Sequence, residues 1–173
     1  DASRKVIDTE FGEYIFVEET KYKAITGVAR MTKDEQDVSG DTFSMINLQS
    51  GELLMALSDG MGSGTSALDE SKNVIELLEQ MSEAGFSQTS AIRLINSLYM
   101  SDQEFESYAT LDISLINLYK GECSFLKNGA VGTYILNQGK MYCIEGQSLP
   151  MGVIGEAEPY IGKMNIYSGD YII

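Results

Sequence analysis

Alternating apolar and polar positions predict short β-strands in both halves of the chain. The pattern in the first half predicts strands at 13–18, 22–31, 42–48 and 52–58. In the second half it predicts strands at 111–119, 123–127, 132–136, 141–144 and 160–167. The polar stretches 32–40 and 101–107 are predicted as loops. Short turns join most of the strands, which favours antiparallel pairing.

Between the two groups of strands the apolar positions follow a helical period. A helix is predicted over 66–84, and Gly85 stands where a C-terminal cap glycine belongs. Ser87 is placed to cap a second helix over 88–100. The predicted apolar face of this second helix comprises Ile92, Ile95, Leu98 and Tyr99. The order of elements predicts an α+β fold, in which two antiparallel sheets face each other and helices pack outside.

Composition narrows the chemistry and the partners. With 173 residues, 43% of them hydrophobic, the chain is predicted to form a single domain over 1–173. The net charge of -14 argues against nucleic acid and against direct contact with an anionic membrane. The chain has no histidine, which excludes Ser-His-Asp triads, Cys-His pairs and most zinc sites. Cys123 and Cys143 lie in strand-like segments, so both are expected to be small buried hydrophobes.

Two aspartates are predicted to meet at one end of a hairpin. Asp59 ends the apolar run 53–57 and precedes Gly60, while Asp41 begins the preceding strand. The start of one strand of a hairpin lies beside the end of the other, and two carboxylates about 4 Å apart repel unless a proton or a cation lies between them. Mg²⁺ and Mn²⁺ prefer oxygen ligands, and a glycine lets its carbonyl approach a metal. Asp41, Asp59 and Gly60 are therefore candidate metal ligands.

Two other interpretations of this segment stay open from the residues alone. Asp59 could cap the following helix, since aspartate is a good N-cap. The stretch 62–67 fits the G-x-G-x-x-G/A dinucleotide pattern between a strand and a helix. No acidic residue ends a second parallel strand downstream, however, and no lysine follows the glycines as a P-loop requires.

Three segments, in this order, resemble the phosphatase domain of the SpoIIE (stage II sporulation protein E) family. They are VSGDTFSM (38–45), ALSDGMGSG (56–64) and ATLDIS (109–114). Shorter matches are TGVA (26–29), LKNG (126–129) and LPMG (149–152). The family belongs to the PPM class of metal-dependent serine/threonine protein phosphatases. The resemblance implies an α-β-β-α sandwich with Mn²⁺ or Mg²⁺ on one rim, here lacking its C-terminal part.

The resemblance also implies residue roles. Asp59 would bridge two metal ions, the Gly60 carbonyl would contact one, and Asp41 would help to hold the metal, partly through water. Asp41 and Asp59 are thus the expected catalytic residues, and a metal-bound water is the expected nucleophile. Further metal-binding aspartates of the family lie C-terminal to the matched region, so this chain is expected to hold part of the two-metal site and to be poorly active by itself.

The surrounding residues and the partners complete these expectations. Arg30 and Lys33 are expected to be solvated loop charges, and Asp112 is expected to make structural hydrogen bonds. The resemblance implies a phosphoserine substrate on an anti-sigma-factor antagonist, in sporulation sigma-factor control. It also implies a cytoplasmic domain of a membrane-anchored parent, and a homodimer stays open. The alternative is a non-catalytic domain with this fold that binds a phosphoprotein.

Overall fold

The computed structural model of the chain describes residues 5–10, 12–16, 18–30, 39–62, 64–101, 108–155 and 158–173. The strands in these ranges are β1 (Lys5–Thr9), β2 (Gly12–Phe16), β3 (Asp41–Asn47), β4 (Glu52–Asp59), β5 (Leu111–Asn117), β6 (Glu122–Asn128), β7 (Thr133–Asn137), β8 (Lys140–Ile144), β9 (Tyr160–Asn165) and β10 (Tyr171–Ile172). The helices are α1 (Thr65–Glu83) and α2 (Gln88–Ser101).

A five-stranded antiparallel sheet forms the centre of the fold. Its strand order is β3-β4-β5-β6-β9. The alternation along these strands gives the sheet two apolar faces, and α1 and α2 cover one of them. The core on this helical side includes Leu54, Val74, Leu78, Ile92, Ile95, Leu111 and Ile113, all buried.

A second, three-stranded sheet of order β10-β7-β8 covers part of the opposite face. Leu53, Ile116, Cys123 and Phe125 of the first sheet pack there with Ile135 of β7. The layers are therefore helices, sheet and sheet. The predicted α+β class with two facing antiparallel sheets is confirmed.

The helix ends also follow the prediction. Gly85 adopts φ 85°, and the amide of Phe86 donates to the carbonyl of Met81, which closes the end of α1. The amide of Ser90 donates to Ser87 Oγ at 3.2 Å, which caps α2. None of the described helices has the length and hydropathy needed to cross a membrane.

The strand predicted at 22–31 is wrong for residues 22–30. These residues have no regular structure, and Ile25 is fully exposed. The amide of Tyr22 donates to the carbonyl of Leu118, but no ladder of described residues continues from that bond. Local β propensity is not enough without a partner strand and a buried face. Strand β1, which the sequence did not predict, pairs instead with β2.

Two predicted burials are also wrong. Leu98, assigned to the apolar face of α2, is 51% exposed. Cys143 is exposed because it lies opposite the exposed Tyr134, on the face of the second sheet that points away from the first sheet, whereas Cys123 is buried as expected. Residues 32–38 and 102–107 of the two predicted loops lie outside the described residues. The single-domain organisation stays a prediction.

Candidate metal-binding rim

The register of the β3–β4 hairpin places Asp41 directly opposite Asp59. Their Cα atoms are partners at the open end of the ladder, next to the Thr42–Ser58 pair. Directly opposed residues in an antiparallel pair project to the same face of the sheet. The structure thus brings together the two aspartates that the sequence singled out.

Gly60 permits helix α1 to approach this end of the sheet. A Cβ added to Gly60 would lie 1.9 Å from the carbonyl oxygen of Ala67. A Cβ added to Gly40 would lie 3.4 Å from the Gly60 carbonyl oxygen and 3.7 Å from Asp59 Oδ1. The absence of a side chain at Gly40 therefore leaves a small space bordered by two oxygen atoms of the Asp59-Gly60 pair.

The end of the sheet that carries Asp41, Asp59 and Gly60 is called the rim below. Polar contacts hold Asp41 in place on one side of it. Ser39 Oγ donates to Asp41 Oδ2 at 3.0 Å and accepts from the Asp41 amide at 3.3 Å. Arg30 Nη2 donates to the Ser39 carbonyl at 2.9 Å and to the Asp41 carbonyl at 2.7 Å. Arg30 is exposed, but these two hydrogen bonds mean that it is not simply a solvated loop charge. Lys33 lies outside the described residues.

On the other side of the rim, the residues just before strand β5 hold the backbone of Asp59. The amide of Thr110 donates to the Asp59 carbonyl at 2.9 Å, and Thr110 Oγ1 accepts from the Asp59 amide at 3.0 Å. Gly60 forms an isolated antiparallel β-bridge with Ala109, and Ala109 forms a second one with Met151. Thr110 was not named as a site residue from the sequence, although it lies inside the ATLDIS segment. The segments 56–64, 109–114 and 149–152, which carry part of the family resemblance, therefore lie side by side at this end of the sheet.

The geometry removes both alternative interpretations of this segment. The N-cap of α1 is Gly64, with no side-chain capping bond, so Asp59 does not cap the helix. Strand β4 pairs antiparallel with both β3 and β5. A dinucleotide-binding unit needs a parallel neighbour reached through the helix, so this interpretation is wrong.

The donor atoms at the rim are oxygens. The Asp41 and Asp59 carboxylates and the Gly60 carbonyl suit a hard cation such as Mg²⁺ or Mn²⁺, which keeps several bound waters and needs few protein ligands. Within the described part of the chain, no three or more His, Cys, Asp or Glu residues gather into a metal-binding cluster.

Residues 49–173 match the sequence profile of the family described as stage II sporulation protein E (SpoIIE). The chain belongs to the SpoIIE family. It is 38% identical over 152 residues to stage II sporulation protein E of Priestia megaterium, and 36% identical over 152 residues to that of Bacillus subtilis (strain 168). Each match covers 88% of this chain, but only 26% and 18% of the respective relatives.

The fold comparison agrees with the SpoIIE family. The structure of the PP2C phosphatase domain of SpoIIE from Bacillus subtilis, with a fragment of its regulatory domain, matches with a TM-score of 0.81 and 32% identity. The match covers 96% of this chain and 51% of that one. RsbX, whose structure was determined in complex with magnesium, shares the fold with a TM-score of 0.66 and 20% identity over 96% of this chain and 74% of that one. The family is one of PP2C-type serine/threonine phosphatases.

Proposed function

We propose that the chain forms part of the active site of a metal-dependent protein serine/threonine phosphatase, with Asp41, Asp59 and Gly60 as metal ligands. The observation that carries this proposal is the direct opposition of Asp41 and Asp59 across the β3–β4 ladder. Membership of a PP2C-type family supports the activity. The magnesium in the RsbX structure supports a divalent cation as the cofactor.

Each residue of the rim has a physical task in this proposal. A bound divalent cation supplies an acidified water as nucleophile and neutralises charge on the phosphoryl group. The carboxylates of Asp41 and Asp59 hold the cation, and the Gly60 carbonyl adds a neutral oxygen ligand. Ser39 orients the Asp41 carboxylate through its hydrogen bond to Oδ2. Thr110 fixes the backbone of Asp59 through both its amide and its hydroxyl.

The proposed substrate is a phosphoserine on an anti-sigma-factor antagonist, and the proposed setting is sporulation sigma-factor control. The names of the curated relatives support a role in sporulation. The chain spans about a quarter or less of the length of those relatives. A cytoplasmic location, a membrane-anchored parent protein and a homodimer are part of the same proposal.

The substitution Asp59→Asn tests the activity. It keeps the size of the side chain but removes the charge that binds the cation. Because a catalytic metal lowers the activation free energy by several kcal/mol, we expect its loss to reduce phosphatase activity by about 10³-fold. The measurement is Mn²⁺-dependent release of phosphate from a serine-phosphorylated anti-sigma-factor antagonist, by the protein expressed from its complete reading frame.

Asp69→Asn is the matched control, because Asp69 is an exposed aspartate on α1. It should leave the rate unchanged. Wild-type activity in Asp59→Asn would contradict the proposed role of Asp59. If the unsubstituted protein binds the phosphoprotein but releases no phosphate, the non-catalytic binding domain is the correct function instead.

A further inference from the structure

A buried ion pair ties the two sheets together behind the acidic rim. Lys127 of β6 is fully buried, and its Nζ donates to Asp112 Oδ2 at 2.6 Å. The same Nζ donates to Thr133 Oγ1 and to the Val131 carbonyl, each at 2.7 Å. Thr133, on β7 of the second sheet, in turn donates to Asp112 Oδ2 at 3.0 Å. These contacts compensate the lysine for its lost hydration.

The hydrogen bonds that join the two sheets use only one of the two carboxylate oxygens of Asp112. Oδ2 accepts both hydrogen bonds, while Oδ1 is buried and has no partner among the described residues. A buried carboxylate oxygen without a donor is destabilising, and such atoms are rare in folded proteins. The side chain as a whole is 15% exposed, so it lies close to the surface. The structural hydrogen bonds expected for Asp112 are present, but they leave Oδ1 unexplained.

The sheet register places Asp112 next to the rim. Asp112 is the direct partner of Leu57, which lies two residues before Asp59 on β4. Opposed residues and residues two apart share a face, so Asp41, Asp59 and Asp112 project to the same side of the sheet. Diagonal neighbours of this kind lie about 7–8 Å apart, with their Cβ atoms somewhat closer, which is a distance that one bridging water can span between two side chains.

We propose that Asp112 is a positioning residue of the metal-binding rim. Lys127 and Thr133 hold Oδ2, and Oδ1 accepts a hydrogen bond from a water in the hydration shell of the cation at Asp59. Mg²⁺ and Mn²⁺ retain several waters when bound to protein. Groups that accept hydrogen bonds from the ligands of a metal orient them, and their loss lowers metal affinity by about 10–100-fold. The proposal rests on the proposed function and adds a residue to its site.

A double substitution distinguishes a role of Asp112 in metal binding from its role in joining the two sheets. Asp112→Leu with Lys127→Met replaces the ion pair by apolar groups of similar size, which commonly leaves stability unchanged or raised. We expect its melting temperature in EDTA to match that of the unsubstituted protein, while its Mn²⁺ dissociation constant rises by about 10–100-fold. The protein is expressed from its complete reading frame, and Mn²⁺ binding is followed by electron paramagnetic resonance.

Thr133→Val is the matched control, because it weakens the network without touching Oδ1. It should lower the melting temperature in EDTA and leave the Mn²⁺ dissociation constant unchanged. If the double variant does not fold, Asp112→Asn serves instead: its amide nitrogen in place of Oδ1 cannot accept from a water, so Mn²⁺ binding should weaken.

Three outcomes overturn a claim. A folded double variant with the unsubstituted dissociation constant would show that the network only fastens the sheets. The same conclusion follows if the loss of affinity parallels the loss of melting temperature in every variant. If Asp59→Asn also leaves Mn²⁺ binding unchanged, the proposed function itself fails.

Discussion

Gly60 lies so close to α1 that its lack of a side chain is a condition of the fold at the rim. The substitution Gly60→Ala would place a Cβ 1.9 Å from the Ala67 carbonyl oxygen, a backbone atom that cannot move aside alone. We expect the free energy of unfolding to fall by at least the roughly 1–3 kcal/mol that overpacking typically costs. Urea denaturation measures it.

Gly27→Ala is the control for this substitution, because nothing lies within 4 Å of a Cβ added to Gly27. Its free energy of unfolding should stay within about 0.5 kcal/mol of the unsubstituted value. Equal stability of the two variants would mean that α1 does not pack against Gly60 in solution.

The two cysteines differ in environment, and this predicts different thiol reactivity. Burial raises the pKa of Cys123 to about 12, and its side chain is 1% exposed. Cys143 is exposed on the edge strand β8. Because the thiolate is the reactive form, an aromatic disulfide reagent at pH 8 should label Cys143 in the folded chain and Cys123 only after unfolding. Cys143→Ser should abolish native labelling, and persistent labelling of that variant would show that Cys123 is accessible.

At the scale of single elements, the start of α2 depends on one side chain. Ser87 Oγ accepts from the Ser90 amide at 3.2 Å. Ser87→Ala should therefore lower the free energy of unfolding by about 1 kcal/mol, which is typical for the loss of an N-cap. The measurement is chemical denaturation followed by circular dichroism.

Ser97→Ala provides the comparison for the helix cap. Ser97 lies inside α2, and its hydroxyl donates to the Arg93 carbonyl one turn earlier, at 2.8 Å. Such a bond stabilises a helix little, so this variant should stay within about 0.5 kcal/mol of the unsubstituted chain. If both variants lose the same stability, Ser87 does not act as a cap.

At the scale of the whole molecule, the second sheet decides which side chains of the first sheet are core. Phe125 and Phe43 project to the same face, but Phe125 is covered by the second sheet and Phe43 is 44% exposed. Phe125→Ala should lower the free energy of unfolding by about 3–5 kcal/mol. Phe43→Ala should lower it by less than about 1 kcal/mol. Similar losses in a thermal or urea titration would contradict this arrangement of the layers.

Local patterns predicted the elements that depend on local interactions. The hairpin β3–β4, both helices and their caps at Gly85 and Ser87 follow from residues close together in the chain. The strand predicted at 22–31 failed because a strand needs a partner and a buried face, which a short segment cannot specify. The predicted burial of Leu98 and Cys143 failed for a related reason, since the packing of other elements decides exposure.

The sequence by itself was enough to name the two aspartates and the glycine as candidate site residues, and to predict the α+β class and the family. Asp41 and Asp59 could be paired because a short hairpin turn sets the register between neighbouring strands. Only the tertiary structure decided that Arg30 and Thr110 support the rim, and that Lys127 joins Asp112 to the second sheet. Those contacts link residues distant in the chain, and their geometry depends on how the layers pack.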